Sequence, residues 1–177
     1  MKKLSETIRA SANSYFLSYK CLIDKHIEVS NFYGEFLSAY SLPAITTSAF
    51  SCELALKSIL HSESGKTPRG HDLNKLFNQL KQNTRIDMVE RTIQAYNLKS
   101  EIFGDNSRIS EKDFYNLLNL HKNTFTLVRY FYESRLSSLD IDFIEAFMFC
   151  LNGQDDDYPS YAKYLYFKKQ QLNETKA

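Results

Sequence analysis

The chain has 177 residues, of which 43% are apolar and 24% charged, values typical of one globular domain that spans residues 1–177. Its formal net charge of +1 argues against a large electrostatic surface for non-specific nucleic-acid binding, although a local RNA-binding patch stays open. The sequence has no apolar run long enough to span a bilayer and no signal-peptide core, so we expect a cytoplasmic protein without a membrane contact.

Turn-forming residues are scarce, with 5 Gly and 3 Pro beside 12 Tyr and 13 Phe, and this favours long helices over many short strands. The first helix is predicted over residues 4–25, where apolar side chains recur at helical steps. The positions expected to face inward are Leu4, Ile8, Ala12, Tyr15, Tyr19 and Leu22. A weaker helical pattern covers residues 28–40 and must end before Pro43.

Pro43 fits the first turn of a strong helix whose apolar positions are Ile45, Ala49, Cys52, Leu56 and Ile59. Glu53 lies at the margin of this apolar face, where a carboxylate needs a partner. A polar loop, GKTPRGH, then leads to Asp72, the predicted N-cap of a helix that carries Leu73, Leu76, Phe77 and Leu80. A further helix is predicted over 86–98 and a loop over 99–109.

Residues 110–136 are predicted to form one long helix, capped by Ser110, with an apolar stripe on one face. The stripe consists of Phe114, Leu118, His121, Phe125, Val128 and Tyr132. Asp140 can cap a following helix with Phe143, Phe147 and Leu151 inward, and residues 154–177 form a tail with a short amphipathic helix that docks on the core or contacts a second subunit. These elements predict an all-α, antiparallel helical bundle of about six or seven helices.

Arg129 lies beside the apolar stripe of the long helix, as Glu53 does on its own helix, so the two are candidates for a buried structural ion pair. Removing either partner of such a pair would cost roughly 3 to 5 kcal/mol, against less than about 1 kcal/mol for an exposed pair. Two alternatives stay open. Both side chains reach water, or Arg129 pairs with Glu133 one turn further on.

Metal and cofactor chemistry finds little support in the sequence. Cys21, Cys52 and Cys150 lie far apart inside apolar helical patterns, which predicts buried free thiols and no zinc site. No phosphate-binding glycine loop or hydrolase motif occurs, so neither a cofactor nor a metal is expected. The four histidines are scattered, and only His61, His71 and Asp72 could converge in space.

Four segments together resemble a HEPN domain. They are CELALKSIL (52–60), GHDLNKLF (70–77), FYNLLNLHKNTFTLVRYFYE (114–133) and DIDFIEAF (140–147). The resemblance is strongest over residues 48–151. It implies a helical bundle that often forms a homodimer and acts as a metal-independent RNase or as a non-catalytic binding module, including in toxin–antitoxin and phage-defence systems.

The RNase members carry an Arg followed four to six residues later by a His, and this sequence departs from that pattern. None of its arginines has a His at that distance downstream, and His121 precedes Arg129. The resemblance therefore implies a module that is not an enzyme and that binds RNA, a nucleotide or a partner protein, with Tyr130 as a candidate lining a groove for the ligand. Lys122 and Asn123 are further candidate binding residues because we expect them on the exposed face of the long helix, where a solvated surface is the alternative interpretation. The contrasting interpretation is an endoribonuclease with a diverged site, in which His121 or His71 is the general base and Arg129 or Lys122 stabilises the phosphorane. A third interpretation is a pure protein-interaction module.

Overall fold

The structure is a computed structural model that describes residues 2–33, 40–105, 107–129, 139–152 and 157–174. Within these ranges the chain is all-α, as predicted. Its helices are α1 (Lys2–Tyr33), α2 (Ser41–Ser64), α3 (Leu73–Asn78), α4 (Gln82–Phe103), α5 (Glu111–Leu120), α6 (Thr124–Arg129), α7 (Ile141–Asn152) and α8 (Asp157–Glu174).

Helices α2 and α7 form the centre of the bundle. Helix α2 packs against α1, α3, α6 and α7, whereas α7 also packs against α1, α4 and α8. Because neighbours surround α7, every residue from Phe143 to Asn152 is buried. The rings of Phe77, Phe114, Phe143 and Phe147 contact one another in the core and join α3, α5 and α7.

Three predicted helix caps are confirmed. The Asp72 carboxylate accepts the Lys75 N–H at 2.9 Å, and Asp140 accepts the Phe143 N–H at 2.9 Å. Ser110 and Asp113 form a reciprocal capping box at the start of α5. The core positions predicted for α3 and α7 are buried as well, because local capping and helical period together fix which face turns inward.

Helix α1 differs from its prediction, since the pattern expected to form two helices continues unbroken to Tyr33. Ala12 and Tyr19 face the core as expected, whereas Leu4 and Tyr15 are 51% and 39% exposed. The prediction that all three cysteines are buried was wrong for Cys21, which is exposed. It lies two residues beyond the buried Tyr19, and two helical steps turn a side chain to the opposite face.

The predicted long helix is interrupted at residues 121–123, between α5 and α6. His121 turns inward there, and its Nδ1 lies 3.0 Å from the Thr124 hydroxyl oxygen. The Thr126 and Leu127 N–H groups both donate to the Asn123 carbonyl at 2.9 Å, which starts the next helix. Since no Gly or Pro marks the break, helical periodicity alone could not predict it.

Helix α4 runs further than predicted, to Phe103, and ends at Gly104 in the left-handed region with φ 78°. The tail forms a full helix, α8, in which Tyr161 and Leu165 are completely buried against the bundle. Among the described helices, none has the length and apolar character required to cross a bilayer.

Candidate functional site

One face of α2 presents three residues at helical spacing, namely Phe50, Glu53 and Lys57. Glu53 is only 1% exposed, so its carboxylate is buried and does not lie at the margin of the helix face. The Lys57 ammonium, one turn further along, donates to Glu53 Oε1 at 2.7 Å. A carboxylate removed from water in this way requires such donors, because an unpaired buried charge costs several kcal/mol.

His71 supplies the second contact with the buried carboxylate. Its Nδ1 lies 2.9 Å from Glu53 Oε1 and 3.0 Å from Oε2, so the N–H at this nitrogen donates to the carboxylate. The His71 side chain is nevertheless 59% exposed. The imidazole therefore connects a buried anion to the solvent, and we call Glu53, Lys57 and His71 the Glu53–His71 site.

The loop between α2 and α3 places His71 over α2. Gly70, directly before it, has φ 95°, a conformation that only glycine adopts readily. On the other side, Asp72 caps α3, and the Leu73 N–H donates to the Lys122 carbonyl at 3.0 Å. This last bond ties the loop to the turn between α5 and α6, so both neighbours of the histidine are fixed by backbone geometry.

Holding Nδ1 on a carboxylate determines the chemistry available at the other ring nitrogen. A neutral His71 with its proton on Nδ1 presents Nε2 as an acceptor, whereas the imidazolium form donates from Nε2. Glu53 holds the imidazole in the same orientation in the neutral and in the imidazolium form, because its carboxylate accepts from Nδ1 in each. The site can therefore bind a hydroxyl or a phosphate oxygen at Nε2, or move a proton there.

Aromatic rings adjoin the site. The Phe125 ring on α6 lies 6.0 Å from the His71 ring and is stacked on Phe50 at 4.7 Å, measured between centroids. Tyr15 on α1 makes an edge contact with Phe50 at 4.6 Å. Three helices and a loop thus contribute to one continuous surface around the histidine.

The two histidines considered as general bases lie in very different surroundings. Whereas His71 is exposed, His121 is 0% exposed and stacked on Phe143, with 5.6 Å between ring centroids. Burial lowers the pKa of His121 to about 4 despite the opposing carboxylate of Asp140. A neutral histidine inside the core cannot reach an RNA 2′-hydroxyl, so of the two only His71 is accessible to a substrate.

The other predicted site residues are only partly described. Asn123 is exposed and Lys122 half-buried, and both lie in the turn whose backbone holds the His71 loop. The Arg129 side chain and Tyr130 lie outside the described residues, as does Glu133. The ion pair between Glu53 and Arg129 therefore stays a prediction, and the described donors to Glu53 are Lys57 and His71.

A second cluster of charges lies in the core around Glu145 of α7, which is 1% exposed. Lys99 of α4 donates to Glu145 Oε1 at 3.0 Å, and Lys168 of α8 lies 3.6 Å from Oε2. Tyr19 and Tyr161 donate their hydroxyls to the same carboxylate. The cluster joins α1, α4, α7 and α8 through one side chain.

The charges of this cluster stabilise one another in the ionised state. Burial by itself raises the pKa of Glu145, but Lys99, Lys168 and the Tyr19 hydroxyl outweigh it and lower the pKa to about 2. Burial raises the pKa of Tyr19 well above its ordinary value, and the adjacent carboxylate adds to the effect. Burial opposes the charge of Lys99, but Glu145 and Asp142 raise its pKa above the ordinary value, whereas burial lowers the pKa of Lys168. These mutual contacts fit a structural connection better than an acid–base role.

The cluster around Glu145 was not predicted from the sequence, although one signal for it was present. Glu145 interrupts the otherwise apolar run from Phe143 to Leu151, where an isolated carboxylate indicates a buried partner. Its partners could not be chosen from the sequence, because Lys99 and Lys168 lie 46 residues before and 23 residues after it on different helices.

A groove of about 560 Å³ lies between α1 and α2 and is separate from the Glu53–His71 site. Its lining includes Ser5, Arg9, Ser58, Ser62 and Glu63. Ser58 donates to the Ser5 carbonyl at 3.0 Å, and the Ser5 and Ser62 hydroxyl oxygens are 2.6 Å apart, so these small side chains hold the two helices close together. No predicted site residue lines it. Across the part of the chain that the structure describes, no group of three or more metal-ligating side chains occurs.

Fold and site together define an all-α bundle that presents an exposed histidine held by a buried glutamate. The family model of the HEPN domain matches residues 40–130, slightly more than half of the chain, and the chain therefore belongs to the HEPN family. The match contains Glu53, His71 and all of α2 to α6, whereas α1, α7 and α8 lie outside it. Comparison with curated proteins and comparison with solved structures found no match.

Proposed function

We propose that this HEPN protein is a non-catalytic module that binds RNA, with a phosphate or ribose hydroxyl at Nε2 of His71. The observation that carries the proposal is the exposed imidazole fixed by a fully buried carboxylate. Lys57 already donates to Glu53 Oε1, so the carboxylate has a cationic partner without His71. The His71 side chain, which is 59% exposed, is therefore available to a ligand.

The charge around His71 fits an anionic ligand. The loop that carries it also contains Lys66 and Arg69, both exposed, and Lys122 follows on the adjoining turn. Phosphate contacts from a few such cations supply much of the affinity for RNA and make that affinity depend on salt. A patch of this size is compatible with the overall charge of +1, since only the local field matters at short range.

We propose RNA binding without cleavage because the sequence lacks the Arg–His motif of the family's RNases. Among the described histidines, His61 and His121 are buried and His26 is half-buried, which leaves His71 as the exposed one. Lys57, the described cation that contacts the same carboxylate as His71, is already bonded to Glu53. A single histidine can orient a phosphate, whereas RNA cleavage needs further groups to stabilise the transition state and to protonate the leaving oxygen.

Fluorescence anisotropy with a labelled single-stranded RNA at low salt tests the proposal. The loss of one charge-assisted hydrogen bond should make His71→Gln bind roughly 10- to 100-fold more weakly than the wild type. His26→Gln, a change of the same kind on α1, should leave the affinity unchanged. If His71→Gln bound RNA as tightly as the wild type, the proposal would be wrong.

The second candidate is a metal-independent endoribonuclease, and the orientation of His71 is the observation that favours it. In that mechanism Nε2 takes the proton from an RNA 2′-hydroxyl while Glu53 stabilises the imidazolium through Nδ1. The 2′-oxygen attacks phosphorus, a 2′,3′-cyclic phosphate forms, and the 5′-oxygen leaves with a proton from water. Arg129 is the candidate for stabilising the phosphorane.

One incubation separates the two candidates. Purified protein is kept with total RNA in the presence of a metal chelator, and the RNA is then resolved by size. We expect intact RNA with the wild type. Cleavage that His71→Gln abolishes would replace the binding proposal with the ribonuclease, and cleavage that survives His71→Gln but not His121→Ala would contradict both uses of His71.

The oligomeric state, the location and the biological context complete the proposal. We propose a homodimer in the cytoplasm, with a role in toxin–antitoxin or phage-defence systems, and a partner protein is the alternative ligand. Size-exclusion chromatography with light scattering measures the oligomeric state directly. A protein that gives no RNA shift at low salt but forms a stoichiometric complex with a defined partner would be a pure interaction module instead.

A further inference from the structure

We infer that the aromatic row Tyr15–Phe50–Phe125, which ends at His71, is a base-stacking subsite for unpaired bases of single-stranded RNA. The inference rests on the proposed RNA-binding function and adds to it a second set of contacts, made to bases and not to phosphates. It also gives helix α1 a direct part in binding.

The row is continuous along the surface. Successive ring centroids are 4.6 Å apart from Tyr15 to Phe50, 4.7 Å from Phe50 to Phe125 and 6.0 Å from Phe125 to His71. The two end members are the exposed ones, since Tyr15 is 39% and the His71 side chain 59% exposed. Phe50 and Phe125 are half-buried between them and support both ends.

Exposed aromatic rings beside cations suit unpaired nucleobases. Every base has a π face, so stacking on Tyr or His adds affinity without requiring a particular sequence. The exposed Arg69 lies on the loop that carries His71 at one end of the row, and it matches the charge of the backbone that joins the bases. Double-stranded RNA keeps its bases stacked inside the helix and could use only the charged part of this surface.

The Tyr15 ring is 39% exposed although it contacts Phe50 across the two helices. On the same helix, Ala12 and Tyr19 are buried and provide the packing. The planes of the Tyr15 and Phe50 rings are 76° apart, so the two rings form a T-shaped contact and are not stacked. Helix α1 lies outside the matched residues 40–130, so this end of the row is a feature of this chain beyond its HEPN match.

The test compares two ligands of equal charge in the same anisotropy assay. One is a single-stranded oligoadenylate of about 12 nucleotides, and the other is a ribose-phosphate chain of the same length without bases. Tyr15→Leu keeps an apolar side chain but removes the π face. We expect it to weaken oligoadenylate binding at least about fivefold and to change the binding of the baseless chain by less than about twofold.

A matched control exists on α5, where Tyr115 is 38% exposed and also forms a T-shaped contact with a phenylalanine. Tyr115→Leu should bind both ligands like the wild type. Phe125→Leu provides a second variant inside the row, and circular dichroism of each variant establishes that it is folded before its affinity is compared. Phe125→Leu, like Tyr15→Leu, should weaken oligoadenylate binding.

The outcomes separate this inference from the proposed function. Normal oligoadenylate binding by Tyr15→Leu, together with weak binding of both ligands by His71→Gln, would overturn the stacking subsite and keep the RNA-binding site. Equal losses for the two ligands in Tyr15→Leu would also overturn the subsite, because a contact to the backbone would then explain the effect. Normal binding of both ligands by His71→Gln would overturn the function on which the subsite rests.

Discussion

Glu53→Gln tests the physical basis of the proposed site, namely that a buried carboxylate holds His71. Glutamine preserves the shape of the side chain but removes its charge and replaces one oxygen with an NH₂ group. A carbonyl oxygen in the place of Oε1 can still accept from Lys57 and His71, whereas the NH₂ in the place of Oε2 faces the His71 N–H. One charge-assisted hydrogen bond is therefore lost and a second becomes weaker.

The expected loss of folding free energy is about 2 to 3 kcal/mol, which corresponds to one charge-assisted hydrogen bond at a position without water. This lies near the lower end of the roughly 3 to 5 kcal/mol expected when a fully buried ion pair is broken. We expect a loss near this lower end because the two partners are not fully buried. Lys57 is 14% and His71 59% exposed, so both can regain contact with water when the carboxylate is removed.

Urea unfolding followed by circular dichroism measures this loss. Glu28→Gln is the matched control, because Glu28 is 56% exposed and its solvent-screened pair with Lys25 should contribute little to stability. A double-mutant cycle of Glu53→Gln with His71→Gln should give a coupling energy of about 1 kcal/mol. A parallel cycle with Arg129→Gln tests the pair predicted from sequence. If Glu53→Gln were as mild as the control, the buried-carboxylate reasoning would be refuted.

Two further predictions concern the core cluster and the His71 loop. Because the folded-state pKa of Glu145 is lowered to about 2, below the ordinary value of 4.5, its contribution to stability is complete above pH 4.5 and is lost as the pH falls from 4.5 towards 2. About 3 kcal/mol should disappear over that window, and urea unfolding should show a smaller acid dependence in Glu145→Gln than in the wild type. Gly70→Ala meets no atom within 4 Å but must hold φ 95°, so it should cost about 1 to 2 kcal/mol and weaken RNA binding by displacing His71. Gly104→Ala carries a comparable strain at φ 78° away from the site, and it should lose similar stability with unchanged RNA affinity. Equal RNA affinity in the two glycine variants would contradict the role assigned to Gly70.

The sequence predicted best those features that depend on neighbouring residues. The caps at Asp72, Ser110 and Asp140 each need only a side chain and an N–H three residues away, and the structure has all three. The helical period likewise identified the buried face of α3. Local signals of this kind survive folding because tertiary packing seldom opposes them.

The features that the sequence did not predict depend on distant parts of the chain. The break at residues 121–123, where His121 stacks on Phe143 of α7, contains no Gly or Pro, so no local pattern reveals it. Glu53 and His71 were each singled out as unusual, but their contact depends on how the loop 65–72 folds back over α2. The partners of Glu145 come from three other helices, so only the need for partners was visible in the sequence.

The most direct test of RNA binding at His71 is an NMR titration of protein labelled with ¹⁵N in its histidine rings, using single-stranded RNA as the ligand. We expect the Nε2 resonance of His71 to shift progressively and to saturate with the RNA, while the ring resonances of the buried His61 and His121 stay in place. RNA binding that saturates by anisotropy without moving the His71 resonance would contradict binding at His71, because the ligand would then occupy another surface.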